Sequence, residues 1–186
     1  MSRQKPADIL LGNALVSLDT GDIENAQFQF EVLTDEHGST RSGKISQYYL
    51  GSIYFDKGDY EKAMDYYERS LTIDEELGYT YGMGSSLGNI GNVHYNKGDL
   101  DTALDYYERS LKIDEELGDK RGVGKSLNNI GWTYYEIGKY NKALECYNRG
   151  LKINEELDDK HSISNDFTNM GLVYFQQEDY NSSILI

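Results

Sequence analysis

Pro6 is the only proline in 186 residues. Proline lacks an amide hydrogen and clashes with the preceding helical turn, so beyond residue 6 almost nothing interrupts a helix. Cysteine is equally scarce: Cys146 stands alone, which excludes an intrachain disulfide and fits a reducing, cytoplasmic setting. Phenylalanine is sparse against tyrosine, 5 to 17, so helix seams must be built from rings with a polar tip. No run of about 18 apolar residues occurs, and no membrane span is expected. Basic residues are few, 18 against 32 acidic, for a net charge of −14. A field of that sign repels phosphate, which argues against nucleic acid and anionic membranes as partners and leaves neutral or basic ones. Arg3 and Lys5 precede the apolar run ILLGNALVSL, but Asp8 and Asn13 break it and no small-x-small cleavage site follows. This reads as the start of a helical pattern, not a signal peptide.

What is present is a repeat. The stretch from Ser86 to Leu117, SLGNIGNVHYNKGDLDTALDYYERSLKIDEEL, superposes on its neighbours at a shift of forty residues. Gly51, Gly91, Gly131 and Gly171 fall in register, as do Ala63, Ala103 and Ala143, then Tyr67, Tyr107 and Tyr147, then Leu77, Leu117 and Leu157. Full repeats are expected at 44–83, 84–123 and 124–163, with a degenerate copy at 7–43 and a partial one at 164–186. Together they make one elongated domain over 1–186.

Each copy holds two helical stripes. Leu87, Ile90, Gly91 and His94 follow i, i+3, i+4, i+7 spacing, and Leu100, Ala103, Leu104, Tyr107, Ser110 and Leu111 continue in the same way. Between them sits Gly98-Asp99, echoed by Gly58-Asp59 and Gly138-Lys139. Glycine ends the first helix in the left-handed conformation, and aspartate accepts from the free amides of the next. The spacing predicts nine full helices and a short tenth. Gly82, Gly84, Gly122 and Gly124 are expected at the tight turn between repeats, with His94 as a core residue in place of the other copies' tyrosine and Cys146 as a packing residue. Asp65 to Arg69, Asp105 to Arg109 and Glu145 to Arg149 are expected as i, i+4 pairs on solvated faces.

Several stretches imitate chemistry without completing it. Gly124-Lys125-Ser126 resembles the end of a phosphate loop, but Asp119 stands where that motif needs glycine and no strand precedes it. His37, His94 and His161 have no second ligand at i+3 or i+4, so zinc spacing is absent. The DEE runs lack the alternating oxygens and glycine of a calcium loop. Asn181-Ser182-Ser183 is a glycosylation sequon, meaningful only with secretion. No serine has a plausible base and acid partner. No catalytic residue, metal or cofactor is expected.

Small residues at the eighth and twentieth places and aromatics at the eleventh and twenty-fourth resemble the tetratricopeptide repeat. The usual unit has 34 residues and a proline near the end of its second helix; here Glu75, Glu115 and Glu155 hold that place and the period is forty. This longer form is similar to repeats of kinesin light chains, spindle-orientation adaptors, and bacterial and archaeal signalling proteins carrying SLNNIG and EELGDK. The resemblance implies an all-α, right-handed superhelical solenoid of antiparallel hairpins, whose first helices line a concave groove.

Counting 100° per residue, places 2, 5, 6, 9, 12 and 13 of each repeat share a face turned away from the packing stripe. That face collects Ile45, Tyr48, Tyr49, Ser52, Phe55 and Asp56 in the first full repeat, then Ser85, Asn89, Asn92, Tyr95 and Asn96. It continues with Lys125, Asn128, Asn129, Trp132, Tyr135 and Glu136, then Asn165, Asn169, Leu172, Phe175 and Gln176. Asn89, Asn129 and Asn169 hold one place in successive repeats, and Tyr49 breaks the series. A carboxamide donates and accepts, so such a ladder can pair with a peptide backbone whatever its side chains; the alternative is that these amides bridge neighbouring helices. Trp132 is the expected anchor. The family's carboxylate-clamp subtype needs several cations on this face, and only Lys125 is there.

Two functions follow. One is an adaptor or regulatory module that binds an extended, neutral to basic peptide or protein segment in the groove. The other is a structural element that self-associates through its ends. At the C-terminus, Leu172, Tyr174, Phe175 and Ile184 to Ile186 would leave an apolar edge. Either the natural chain continues with further repeats or that edge joins a second copy.

Overall fold

The computed structural model describes residues 4–38 and 40–184. Among them are nine helices and no strand: α1 (Gln4–Asp19), α2 (Ile23–His37), α3 (Arg41–Asp56), α4 (Tyr60–Leu77), α5 (Thr80–Asn96), α6 (Leu100–Leu117), α7 (Lys120–Glu136), α8 (Tyr140–Glu156) and α9 (Lys160–Ile184). They form two compact units, Met1–Val93 and His94–Ile186.

Each hairpin turns where the sequence lacks helix formers. Gly21, Gly58, Gly98 and Gly138 have φ between 75° and 81°, a conformation that costs an L-residue about 1–2 kcal/mol and glycine almost nothing. Asp22 and Asp59 then cap the second helix, accepting from the amides of Asn25 and Lys62 at 3.3 and 3.2 Å. Asp99 departs from this expectation. It makes no cap bond; instead its carboxylate accepts from His94 Nδ1 at 3.2 Å. His94 is therefore no core residue. Its ring stacks on Tyr106 with centroids 5.3 Å apart, and its side chain is 21% exposed.

In the first unit the core is built from Ala7, Ala14, Ala26, Phe30, Leu33, Leu50 and Ile53. Small residues let the helices close. A β-carbon on Gly51 would stand 2.6 Å from the Tyr67 ring, so glycine is the residue that admits the tyrosine. The second unit repeats the device: Ala103, Leu104, Tyr107 and Ile130 form one cluster, with Cys146 packed against it, and Ala143, Tyr147 and Val173 another. Burial pushes the Cys146 thiol up to about 11, so it stays protonated and packs as a small apolar group.

Three further expectations are corrected. Gly82, Gly122 and Gly124 lie inside the first turns of α5 and α7, not in the connections. They make room for buried polar groups: a β-carbon on Gly82 would collide with the Asp74 carboxyl, one on Gly122 would meet the Asp114 Cγ at 2.6 Å, and one on Gly124 would meet Asn154 Oδ1 at 3.0 Å. The connections themselves turn at Gly78, Gly118 and Asp158, all with positive φ. On the surface, Asp65–Arg69 and Asp105–Arg109 pair at 3.5 and 3.8 Å, whereas Arg149 reaches across to Glu115 instead of Glu145.

The third correction is the tenth helix. Glu178 and Asp179 stand where the earlier hairpins have Gly-Asp or Gly-Lys. With no glycine to take the left-handed turn, α9 runs on for 25 residues. The side chains of residues 178–186, on which the expected edge at Ile184, Leu185 and Ile186 rests, lie outside the described residues.

Candidate functional site

The first helices α3, α5 and α7 bury places 3, 4, 7, 8 and 10 of their repeats, whereas α9 buries only places 3 and 10, and this leaves the face predicted from the 100° count partly open. In the second unit that face borders a cleft of about 830 Å³ reached by Arg121, Lys125, Asn128, Asn129, Asp159 and Asn165, with Asp166 in its wall. The carboxamide of Asn129 has no hydrogen-bond partner among the described residues. Its backbone carbonyl is engaged, accepting from Thr133 Oγ1 at 2.7 Å, so the side chain alone is available.

Asn128 differs from its neighbour. It donates to the Asp166 carboxylate, as does Asn154 Nδ2 at 2.7 Å. Asp166 is 1% exposed; burial raises its pKa and the two amide donors lower it. Asn128 thus bridges α7 and α9, which is the structural role weighed against the ladder. Asn169 on α9 is half-buried with no partner among the described residues, and Phe175 beyond it is 64% exposed.

Trp132 is not the freely exposed anchor expected of it. Its Nε1 donates to Tyr95 Oη at 2.6 Å, and its ring lies 5.3 Å from that of Tyr135, which in turn neighbours Tyr140 at 5.9 Å. The indole is half-buried, with its edge satisfied. Burial raises the Tyr95 phenol, so this hydroxyl stays a neutral acceptor. Tyr95, Trp132 and Tyr135 form a fixed aromatic wall, while Lys125 is exposed.

In the first unit the same face has opposite chemistry. Ile45, Tyr48, Tyr49, Ile73, Leu77, Tyr79 and Tyr81 line an apolar pocket of about 650 Å³, with Arg41 and Lys44 at its edge. Tyr49 stacks on Phe30 at 5.1 Å and receives the edge of Tyr48 at 5.5 Å, so both rings serve the core as well as the surface. Phe55 sits apart, against Tyr60 at 5.6 Å. Asn89 Oδ1 accepts from Asn92 Nδ2 at 3.4 Å along α5. Two repeats further on, the places of Ile45, Tyr48, Tyr49 and Tyr79 are held by Lys125, Asn128, Asn129 and Asp159. One site in the repeat has become apolar in one copy and amide-lined in the other.

Sequence reasoning missed Asp74, Asp114, Asn154 and Asp166. The first three hold one place in IDEEL, IDEEL and INEEL, and that constancy was a readable signal. Burial raises the Asp74 carboxyl to about 6 and also raises Asp114, to which Ser126 Oγ donates at 3.1 Å. Among the described residues, no group of three or more His, Cys, Asp or Glu could hold a metal ion. No described helix is long and apolar enough to cross a membrane.

Two tetratricopeptide-repeat family models match residues 45–77 and 82–156, together more than half of the chain. The chain belongs to the tetratricopeptide-repeat family, and its fold is that of a protein–protein interaction module. Among solved structures it is similar to the apo form of RapI (TM-score 0.85, 17% identity, covering 97% of this chain and 67% of that one). It is also similar to aspartyl phosphate phosphatase F from Bacillus subtilis (TM-score 0.83, 17% identity, 97% and 48%). A putative kinesin light chain from Podosopora anserina with nearly identical repeats follows (TM-score 0.76, 14% identity, 98% and 92%). The chain therefore spans about two thirds of RapI and about half of the phosphatase. No curated protein sequence matches it significantly.

Proposed function

We propose that the chain is an adaptor or regulatory module that holds an extended segment of a protein partner against its first-helix faces. The observation that carries this is Asn129: a carboxamide with both hydrogen-bonding functions free, beside a cleft and about one helical turn from Trp132 and two from Tyr135 on the same helix. Such an amide pairs with any peptide backbone, contributing about 1 kcal/mol per bond, which is about fivefold in affinity. Asn169 extends the same chemistry on α9. In the first unit the Tyr48 and Tyr81 pocket suits a large apolar side chain, because its walls offer area and few donors.

The net charge of −14 favours neutral to basic segments over acidic ones through the long-range field. No catalytic role, cofactor or nucleic-acid partner is part of this reading, and a cytoplasmic location is.

The test is selection of binding peptides from a displayed random library, followed by calorimetry on the winners. Asn129→Ala with Asn169→Ala is expected to weaken them about tenfold with an unchanged melting temperature. Unchanged affinity with lost stability would assign the amides to the scaffold instead.

A further inference from the structure

The second helices α4, α6 and α8 share one polar place, and it is paired in two of them. Asp114 on α6 accepts from Ser126 Oγ at 3.1 Å, and Asn154 on α8 donates from Nδ2 to Asp166 at 2.7 Å. Both are nearly closed off, at 7% and 6% exposed. Asp74 on α4 holds the same place. Burial alone acts on its carboxyl, with no neighbouring donor or cation to offset it. Ser86, which stands where Ser126 and Asp166 stand, is bonded to Ser70 Oγ at 3.3 Å instead. Asp74 is only half-buried, and it lies in the wall of the 650 Å³ pocket of the first unit.

An ionised carboxylate accepts and cannot donate, and leaving it unpaired in apolar surroundings is costly. The occupant that relieves it must bring a donor. The rest of the wall sets the occupant's body: Tyr48, Tyr49, Tyr79, Tyr81, Ile73 and Leu77 favour an aromatic ring. Arg41 and Lys44 line the same pocket and oppose a cationic head, so the donor is neutral. One turn before Asp74 on α4, Ser70 belongs to the same wall. Its Oγ accepts from Ser86, which leaves its own hydrogen to give. The wall thus offers an acceptor and a donor on neighbouring turns.

We infer that the first unit takes the phenol of a tyrosine from the partner segment, its hydroxyl donating to Asp74 and accepting from Ser70. A phenol answers both groups at the far end of its ring. An indole N–H donates only, from the side of its ring, and phenylalanine does neither. The inference rests on the proposed function and sharpens it: Asp74 decides which large side chain the pocket admits. A polar group left unpaired by the wrong side chain discriminates far more strongly than an apolar slot does.

N-acetyltyrosinamide and N-acetylphenylalaninamide, titrated into the full chain and followed by backbone amide shifts, test it without a partner segment. Both are expected to move signals of residues 41–49 and 70–85, the tyrosine derivative binding about tenfold or more tightly, as a hydrogen bond to a charged group requires. In Asp74→Ala the two derivatives are expected to bind equally, with the phenylalanine affinity unchanged. Asp74→Asn, which copies Asn154, replaces that variant if it does not fold and is expected to narrow the gap. Equal binding of the two derivatives to the wild type overturns the inference, as does binding of neither. So does a variant that weakens both alike, which would make Asp74 a scaffold residue, or tighter binding of N-acetyltryptophanamide, which would assign the pocket to an indole. None of these results touches Asn129 or Asn169, so the inference can fail while the amide-based reading stands.

Discussion

The ring of Tyr147 lies on Gly131 so closely that a β-carbon there would stand 2.8 Å from Cε1. The same place in α9, Gly171, is open. Gly131→Ala should therefore destabilise by about 1–3 kcal/mol through overpacking. Gly171→Ala should stabilise by up to about 1 kcal/mol through helix propensity alone. Urea unfolding of both variants reads the contrast directly; equal effects would show that the tyrosine does not need the glycine.

Asp74 gives a pH dependence whose sign is set by burial. Its folded carboxyl titrates at about 6, above the ordinary carboxylate value, so the native state holds a proton that the unfolded chain has released. Stability from this group is present at low pH and is lost as pH rises through about 6. Asp74→Asn should thus melt higher than wild type at pH 7, with the difference vanishing below pH ~4. Asn154 already stands at the equivalent place. A difference that grew on acidification would contradict the burial argument.

Asp158 occupies the left-handed place held by Gly78 and Gly118, with φ 52°. Asp158→Gly should stabilise by about 0.5–1 kcal/mol, since it relieves the β-carbon of that conformation. Thermal unfolding checks this, with Gly118→Val as the opposite case, expected to lower the melting temperature.

Most of the fold was legible because the repeat is written largely in positions that bury small or apolar groups. The alanines at 63, 103 and 143 and the tyrosines at 67, 107 and 147 announce a seam, and the seam is there. The misreadings have a common source: a local motif says what a residue can do, while a neighbour decides what it does. Asp99 can cap a helix but finds His94; Glu145 is in reach of Arg149 but Glu115 takes it. The missing tenth helix was legible in principle, since Glu178 stands where glycine is needed. The surface was half legible. Its face follows from the 100° count, but only the packing distinguishes the bridging Asn128 from the free Asn129, or shows that Tyr95 satisfies Trp132.

The apolar pocket of the first unit should select side chains. Tyr79 and Tyr81 are about half exposed at its mouth, so Tyr79→Ser with Tyr81→Ser should leave the fold intact. Removing these rings should weaken peptides carrying a large apolar residue by about tenfold, in keeping with the area lost. Peptides without such a residue should bind as before. Fluorescence anisotropy with a matched pair of labelled peptides separates the two outcomes.

The central claim, that free carboxamides on the first helices hold a partner's backbone, is open to direct observation. Side-chain amide signals of Asn129 and Asn169 appear in a nitrogen–proton correlation spectrum and are assigned by their loss in Asn129→Ala and Asn169→Ala. On titration with a library-selected peptide these two signals should move together and shift downfield, as amide protons do on hydrogen bonding. The signal of Asn148, whose Nδ2 already donates to the Leu144 carbonyl at 2.8 Å, should stay still. Stationary Asn129 and Asn169 signals in a titration that saturates elsewhere would contradict the account.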